Sequence, residues 1–547
     1  MSTSFLLAAT QRVHDARWSE ARSFAPEMGS TLASDAVCFI CLESGEEAVL
    51  LPTGCGCRGT AGHVHERCAI QGALATQARN GTWAGKQHPW QLCQTCRLPY
   101  TGSLKLALAQ AWSRRTDGLS DSDPAQYMAA RTALGNALSA EGRLEEAEGV
   151  VRDNLARARA LYGTGHRMAM GIRFNLGLVL DGQGKSEEAA HVYTELNTEQ
   201  QRVLGPEHPD TLMSAMQIAN SDLNAGRNEE AATKYRRVLD VQRRVLGAAH
   251  PITLTCGMNL ASTLLSLADY QEAETLYRAN LAAKLRTLGA EHVDTLMVSM
   301  NLGVVFKERG RYEEAGRWLR ANLDTKRRVL GRRHMDTCFS ALNLCGVWLD
   351  GRHAAKLTEA DSLARLSEAD CLAAETRSAL ACDFGEMNPS TLTASMYVGA
   401  ALHARGQPTR AAKVLRRVHE AQTAAHGERH PDAVETAWRL GSALADVGTA
   451  EALEAAALLR ATAAHLEAQL GSDHPRTLRV FVGLGAALLA AGGDADATEA
   501  ASLLARCKAA QHTALPPGHA DLHRTRALLA RTNSNDTAER HRQTSSQ

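Results

Sequence analysis

Between residues 124 and 531 apolar and small residues recur at helical spacing, and the recurrence itself repeats every 42 residues. His166, His208, His250, His292 and His334 mark the same point in successive repeats, and later repeats begin near Asn388, His430, His474 and His519. An earlier repeat aligns at Pro124, and twelve extra residues separate the repeat at His334 from the one at Asn388. The array therefore holds about ten repeats, the last of half length. Each predicts two antiparallel helices. Asp or Thr after the junction proline can cap the first helix, an apolar-small pair such as Leu260-Ala261 or Leu302-Gly303 lies in its middle, and a glycine (Gly142, Gly184, Gly226, Gly310, Gly406, Gly448) ends it. The second helix opens on Glu-Ala, as in Glu146-Ala147, Glu188-Ala189, Glu230-Ala231, Glu272-Ala273 and Glu314-Ala315.

The pattern is absent before residue 102, where chemistry takes its place. Cys38-x2-Cys41, Cys55-x-Cys57, His65-x2-Cys68 and Cys93-x2-Cys96 form four half-sites, eight ligands in all, enough to close two tetrahedral zinc sites with no open position. His63 stands two residues before His65, but only His65 has the two-residue gap to Cys68; His88 reads as a surface residue. The other six cysteines, Cys256, Cys338, Cys345, Cys371, Cys382 and Cys507, lie scattered in helical sequence, which suits a reducing compartment.

The motifs around these ligands, Cys38-Phe39-Ile40-Cys41-Leu42-Glu43, Cys55-Gly56-Cys57-Arg58-Gly59-Thr60, Val64-His65-Glu66-Arg67-Cys68 and Cys96-Arg97-Leu98-Pro99-Tyr100, resemble the RING-CH (RING-variant) domain of membrane-associated RING-CH ubiquitin ligases. A plant homeodomain finger has a shorter gap before its histidine and a Trp where this chain has Gln91. The resemblance implies a cross-brace, with Cys38, Cys41, His65 and Cys68 on one zinc ion and Cys55, Cys57, Cys93 and Cys96 on the other. It also implies recruitment of a ubiquitin-conjugating enzyme charged with ubiquitin, contacted by Ile40 and, through a bridging cation, by Arg97. Gly72 departs from the family, which carries a Trp there. Trp83 and Trp90 could offer a replacement surface or pack the domain's own core, and the second role is the one expected.

The repeats resemble tetratricopeptide repeats in the 42-residue form of kinesin light chains, whose junction Leu204-Gly205-Pro206-Glu207-His208-Pro209-Asp210-Thr211-Leu212 matches residue for residue. The fold class implied is mainly α: a small two-zinc domain followed by an α-solenoid whose inner face is lined by the first helix of each pair. Nine residues after each junction stand Asn175, Gln217, Asn259, Asn301 and Asn343. Similar domains use such amides to hold the backbone of an extended peptide; the alternative is that they satisfy neighbouring helices. Tyr397, Arg439 and Gly483 take the position later, so a bound peptide is expected in repeats two to six. The junction histidines, one per repeat, cannot converge on a metal and read as structural.

Composition closes off several classes. Lys plus Arg equals Asp plus Glu at 60 each, so no global field draws in nucleic acid, and no apolar run is long enough to span a bilayer. Residues 1–34 read as a mobile leader; Asp15, Glu20 and Glu27 argue against an organelle transit peptide. Residues 35–101 form the zinc domain, 102–123 a linker, 124–531 the repeats and 532–547 a disordered tail, while the insertion near 352–375 lengthens a helix. The expectation is a cytoplasmic or nuclear zinc ubiquitin ligase that holds a substrate protein in the repeat groove. Its rival is a non-enzymatic scaffold. Eight filled positions leave no open site for a zinc hydrolase.

Overall fold

A residue that precedes proline is confined to extended backbone, and the N-cap of a helix needs that same conformation. His208, before Pro209, meets both demands: its backbone lies at φ −64° and ψ 139°, and its Nδ1 accepts the backbone N–H of Asp210 at 3.2 Å. The same cap recurs at His166, His250, His292, His334, His430, His474 and His519, with the Asn388 side-chain Oδ1 serving in one repeat. The junction residue itself is thus the cap. The Asp or Thr expected in that role falls inside the first turn, where helical backbone cannot cap.

The computed structural model describes residues 37–44, 49–53, 57, 62–80, 88–353, 358–516 and 519–545, so the expected leader lies outside the described residues. Two short strands, β1 (Leu50–Pro52) and β2 (His63–His65), pair antiparallel with Leu50 opposite His65. Helices α1 (Glu66–Asn80) and α2 (Gly102–Thr116) follow. The repeats are α3 (Pro124–Ala140) with α4 (Leu144–Tyr162), α5 (Arg167–Gly182) with α6 (Ser186–Leu204), α7 (Pro209–Asn224) with α8 (Asn228–Val245), and α9 (Pro251–Ser266) with α10 (Tyr270–Leu288). Next come α11 (Val293–Glu308) with α12 (Tyr312–Leu330), α13 (Met335–Asp350) with α14 (Glu359–Phe384), and α15 (Pro389–Ala404) with α16 (Pro408–His426). The array ends with α17 (Pro431–Leu444) and α18 (Thr449–Leu470), α19 (Pro475–Ala491) and α20 (Asp494–Ala514), and the single helix α21 (Ala520–Ser545). The insertion does lengthen a helix: α14 has 26 residues where α12 has 19.

Small residues set how closely the paired helices approach. A Cβ on Gly177 would stand 2.4 Å from the Tyr193 ring, and one on Gly303 2.7 Å from Leu319, so the large side chain of the second helix fills the notch left in the first. Ala147, Ala189, Ala231, Ala273 and Ala315, the alanines of the Glu-Ala pairs, are fully buried against their partners. At the turn between helices, Ala268 stands where other repeats have glycine, and its φ is +62°.

The chain forms two compact units that divide near Leu264. In the first, residues 102–123 differ from the expected linker. Leu104, Leu108 and Trp112 of α2 are buried in one core with Leu50, Val64, Ala73, Trp90 and Tyr100 of the preceding segment and Ala130, Ala133 and Ala137 of α3. The polar residues 117–123 form only the turn that follows this helix. The tail also differs: α21 continues as helix to Ser545. In the second unit, repeats five apart meet: His474 Nε2–H, at the start of α19, donates to the Ser266 carbonyl at the end of α9 at 3.1 Å, and Tyr312 Oη, at the start of α12, lies 3.4 Å from His519 Nε2. No helix among the described residues is long and apolar enough to cross a membrane.

Candidate metal centres and repeat face

Two knuckle turns present the first and last cysteine pairs. In one, Leu42 N–H donates to the Cys38 carbonyl at 2.8 Å and Cys38 N–H to Glu43 at 2.9 Å; in the other, Arg97 N–H donates to Cys93 and Cys93 N–H to Leu98, both at 2.9 Å. Each turn is flanked by one bridge, Val37 with Ser44 and Leu92 with Pro99. The residue after each pair adopts left-handed backbone, Leu42 at φ +65° and Arg97 at +64°. Such backbone is costly for a side-chain-bearing residue and persists where surrounding contacts fix it. No sequence signal marked these two positions.

The first turn docks onto β2, where Phe39 N–H donates to the His63 carbonyl at 3.1 Å. His65, on β2, then meets Cys38, Cys41 and the Cys68 that begins α1, and one ligand atom from each lies within 4.8 Å of the others. The His65 Nδ1 faces this cluster, 3.3 Å from Cys41 Sγ and 4.0 Å from Cys68 Sγ, while Nε2–H donates to the Ser44 carbonyl at 3.2 Å. That outer hydrogen bond fixes which nitrogen is left to bind. His63, the competing candidate, is not in the cluster.

Cys57, Cys93 and Cys96 form a second cluster of the same dimensions; Cys55, the fourth expected member, lies outside the described residues. The Cys57 and Cys93 sulfurs are 3.6 Å apart, far beyond a disulfide. Zinc–sulfur bonds of about 2.3 Å set tetrahedral sulfurs roughly 3.8 Å apart, so the spacing fits thiolates sharing one ion. Both clusters could hold a metal ion.

Electrostatics of the bare thiols points the same way. Burial works to raise the Cys38 thiol, but N–H groups of Cys41, His65 and Ile40 bring it down to about 7. Burial and then the adjoining sulfurs of Cys41 and Cys38 push Cys68 up to about 12. A divalent cation removes that mutual opposition by pairing with all the thiolates at once.

Around the clusters, Ile40 is 44% exposed and Arg97 is exposed, its Nη1 donating to Gln94 at 3.1 Å. A Cβ on Gly72 would lie 3.6 Å from Ile40 Cδ1, so the glycine adjoins this apolar side chain on α1. Trp90 is buried and donates Nε1–H to Gln77 at 3.0 Å, the core role expected of it; Trp83 lies outside the described residues. His88 is not the surface residue expected. Its ring packs 4.3 Å from that of Trp112, because α2 covers the loop that carries it.

On the repeats, Gln217, Asn259, Asn301 and Asn343 are each no more than 2% exposed, and Asn175 is half-buried. In the first unit Asn259 Nδ2 donates to Asn220 at 3.1 Å, and Asn220 also bonds Gln217 and Tyr235, so these amides join neighbouring helices. Other amide atoms find no partner among the described residues: Gln217 Nε2, Asn259 Oδ1, Asn301 Nδ2 and both of Asn343. These positions thus combine a helix-joining network with amide groups that are unpaired among the described residues.

Models of the family described as tetratricopeptide repeat match residues 210–285 and 256–328, and again 128–167 and 391–432. No curated protein matches the chain significantly. Among solved structures, BtubC (BKLC) from P. vanneervenii is 21% identical over 42% of this chain and 91% of its own, with a TM-score of 0.37. Nearly identical TPR-like repeats of a Podosopora anserina kinesin light chain are 19% identical over 47% of this chain and 96% of theirs, with a TM-score of 0.28. The helical array thus carries tetratricopeptide repeats over residues 128–167, 210–328 and 391–432, repeats of a protein-binding type, and it is preceded by a segment with two Cys/His clusters able to hold metal.

Proposed function

We propose that the chain is a zinc-dependent ubiquitin ligase of RING-CH type, which recruits a charged ubiquitin-conjugating enzyme through residues 35–101 and a substrate protein through the repeats. The observation that supports it most is the interleaving of the clusters: the first cysteine pair groups with His65 and Cys68, and Cys57 groups with the last pair. Four ligands taken in simple chain order would group otherwise. Zinc would close these loops and supply no further chemistry. Cys38, Cys41, His65 and Cys68 would hold one ion, and Cys55, Cys57, Cys93 and Cys96 the other.

In this reading a substrate lysine attacks the thioester carbon, a C–N bond forms, the C–S bond breaks and the conjugating enzyme's thiol leaves with the proton. No residue of this chain is covalently engaged. Its contribution is to hold the thioester in reactive geometries. Exposed Ile40 offers the conjugating enzyme an apolar contact, and the fixed fork of Arg97 can serve two acceptors at once. The free cysteines of the helices fit a reducing compartment, cytosol or nucleus.

Gly72 beside Ile40 favours a second reading, a scaffold in which the zinc domain only docks a partner, because the family's Trp is missing from that surface. The purified chain, incubated with ubiquitin, activating enzyme and a panel of conjugating enzymes, is expected to build zinc-dependent ubiquitin chains that Ile40→Ala and Arg97→Ala each suppress. Silence across the panel favours the scaffold. For the repeats, Asn259→Ala with Asn301→Ala is expected to weaken binding of partners captured by the array at unchanged helicity; unaltered affinity assigns these amides to helix packing alone.

A further inference from the structure

The turn between α2 and α3 carries chemistry that neither the metal clusters nor the repeats use. It reads Asp117-Gly118-Leu119-Ser120-Asp121-Ser122-Asp123, a 3-10 turn over Asp117–Leu119 that Ser120 to Ser122 continue. Ser113 and Thr116, the hydroxyls just before it, are buried, and Thr116 Oγ1 donates to the Trp112 carbonyl at 3.2 Å. The later hydroxyls lie nearer solvent: Ser120 is half-buried, Ser122 is exposed, and the side chain of Asp121 between them is 93% exposed. Ser120 has a carboxylate both one and three residues after it, Asp121 and Asp123. Thr358 and Ser367 share that spacing but belong to α14, Thr358 as its cap and Ser367 inside it.

A cation already grips this turn. Arg157 of α4 donates Nη2–H to the Ser120 carbonyl at 2.8 Å, pairs with Asp121 and lies 5.3 Å from the centre of the Tyr127 ring. At the end of α2, the guanidinium groups of Arg114 and Arg115 are exposed and form no hydrogen bond or ion pair among the described residues. The charged groups around Ser120 are thus Asp117, Asp121 and Asp123 of the turn itself, Arg114 and Arg115 of α2, and Arg157 of α4. A phosphoserine carries a charge of about −1.5 to −2 and three strong acceptor oxygens, which the fixed fork of a guanidinium matches. Arg157 touches the Ser120 backbone, so a phosphate on that side chain lies within its reach and outweighs Asp121 as its partner.

We propose that Ser120 is a phosphorylation site for an acid-directed protein kinase, and that Arg157 receives the phosphate. In the transfer Ser120 Oγ attacks the γ-phosphorus of ATP and an O–P bond forms; the bond from that phosphorus to the β–γ bridging oxygen breaks, ADP leaves, and the hydroxyl proton passes to the kinase's base. Asp121 and Asp123 supply the charge pattern that a cationic acceptor pocket selects. An acceptor segment must leave its own structure to enter a kinase, and a short turn opens at lower cost than the interior of a 26-residue helix such as α14. The turn follows α2, which covers the metal-binding segment, and Arg157 belongs to the first repeat, so the phosphate would tighten the junction between them.

The test uses the full-length chain, ATP and a purified acid-directed serine kinase, with the product mapped by mass spectrometry. Phosphate is expected on Ser120, to be lost in Ser120→Ala, and to be added about tenfold or more slowly in Asp121→Asn with Asp123→Asn, where the second asparagine keeps the cap of α3. Phosphorus-31 resonance then follows the second ionisation of the phosphoserine. Its midpoint is expected about one pH unit lower in the parent than in Arg157→Gln, since an adjoining cation favours the dianion. Absence of phosphate from Ser120, phosphate on Ser122 instead, an unchanged rate in the asparagine variant, or equal midpoints with and without Arg157 would each overturn the proposal. No ubiquitin or conjugating enzyme is present, so failure here leaves the ligase reading standing, and an inactive ligase leaves this site standing.

Discussion

Trp112 is the side chain through which α2 ties the metal clusters to the first repeat. It is 1% exposed, sits in the core shared by Trp90, Tyr100 and Ala133, and packs on the ring of His88, which lies in the segment leading to Cys93. Burying a tryptophan removes 150–250 Å² from water, about 4–6 kcal/mol at 25 cal/mol per Å². Truncation to alanine in cores costs about 3–5 kcal/mol, in agreement with that area. The Trp112 Nε1 has no hydrogen-bond partner among the described residues, so a ring without it forfeits volume alone. Trp112→Ala is therefore expected to destabilise the first unit by about 3–5 kcal/mol and to speed metal loss to a chelator, whereas Trp112→Phe costs under about 2 kcal/mol. Urea titration of the first unfolding transition, paired with a chromophoric chelator assay, reads both. A Trp112→Ala protein within about 0.5 kcal/mol of the parent, with unchanged metal release, would mean that residues 102–116 are a linker after all.

Two other outcomes follow from backbone and caps. Ala268→Gly relieves left-handed backbone at φ +62° and is expected to stabilise the second unit by about 1 kcal/mol, seen as a raised unfolding midpoint; a lowered one would show that the alanine is not strained there. Capping by Nδ1 requires a neutral histidine, and burial is the main cause that lowers His430, His519 and His474, the last to about 4. Their folded-state values lie below the unfolded one, so their stability is fully present above about pH 6.5 and is lost as pH falls toward 4, by on the order of 2–3 kcal/mol for His474. His474→Asn keeps a cap that cannot titrate, as Asn388 already does, and is expected to flatten the stability profile between pH 6.5 and 4.5; an unchanged slope would refute the linkage.

Much of the repeat array was legible because period and small residues have direct physical causes. Gly177 and Gly303 are notches for Tyr193 and Leu319, and any larger residue at those points would push the helices apart. One histidine per junction marks a structural residue but not its role as a cap, since histidine is not a usual capping residue and only the extended backbone reveals it. The polar run 116–123 concealed α2, whose buried stripe Leu104, Leu108 and Trp112 sits before it. Spacing singled out the cysteine pairs, yet the grouping of Cys38 and Cys41 with His65 and Cys68 depends on β2 docking beneath the first knuckle, a contact between distant segments. The buried ion pairs of the second unit left only a faint trace: Arg439 occupies the register of Asn301 and Asn343, an odd residue for a buried face until Asp350 and Glu435 are placed beside it.

The proposed ligase function depends first on two closed, interleaved metal sites in residues 35–101. Zinc content of the full-length chain, purified without added metal and measured by plasma mass spectrometry against protein concentration, is predicted to be two ions per chain. Paired Cys38→Ser and Cys41→Ser substitutions should remove one of them. One ion or none in the parent chain would contradict the two-site arrangement.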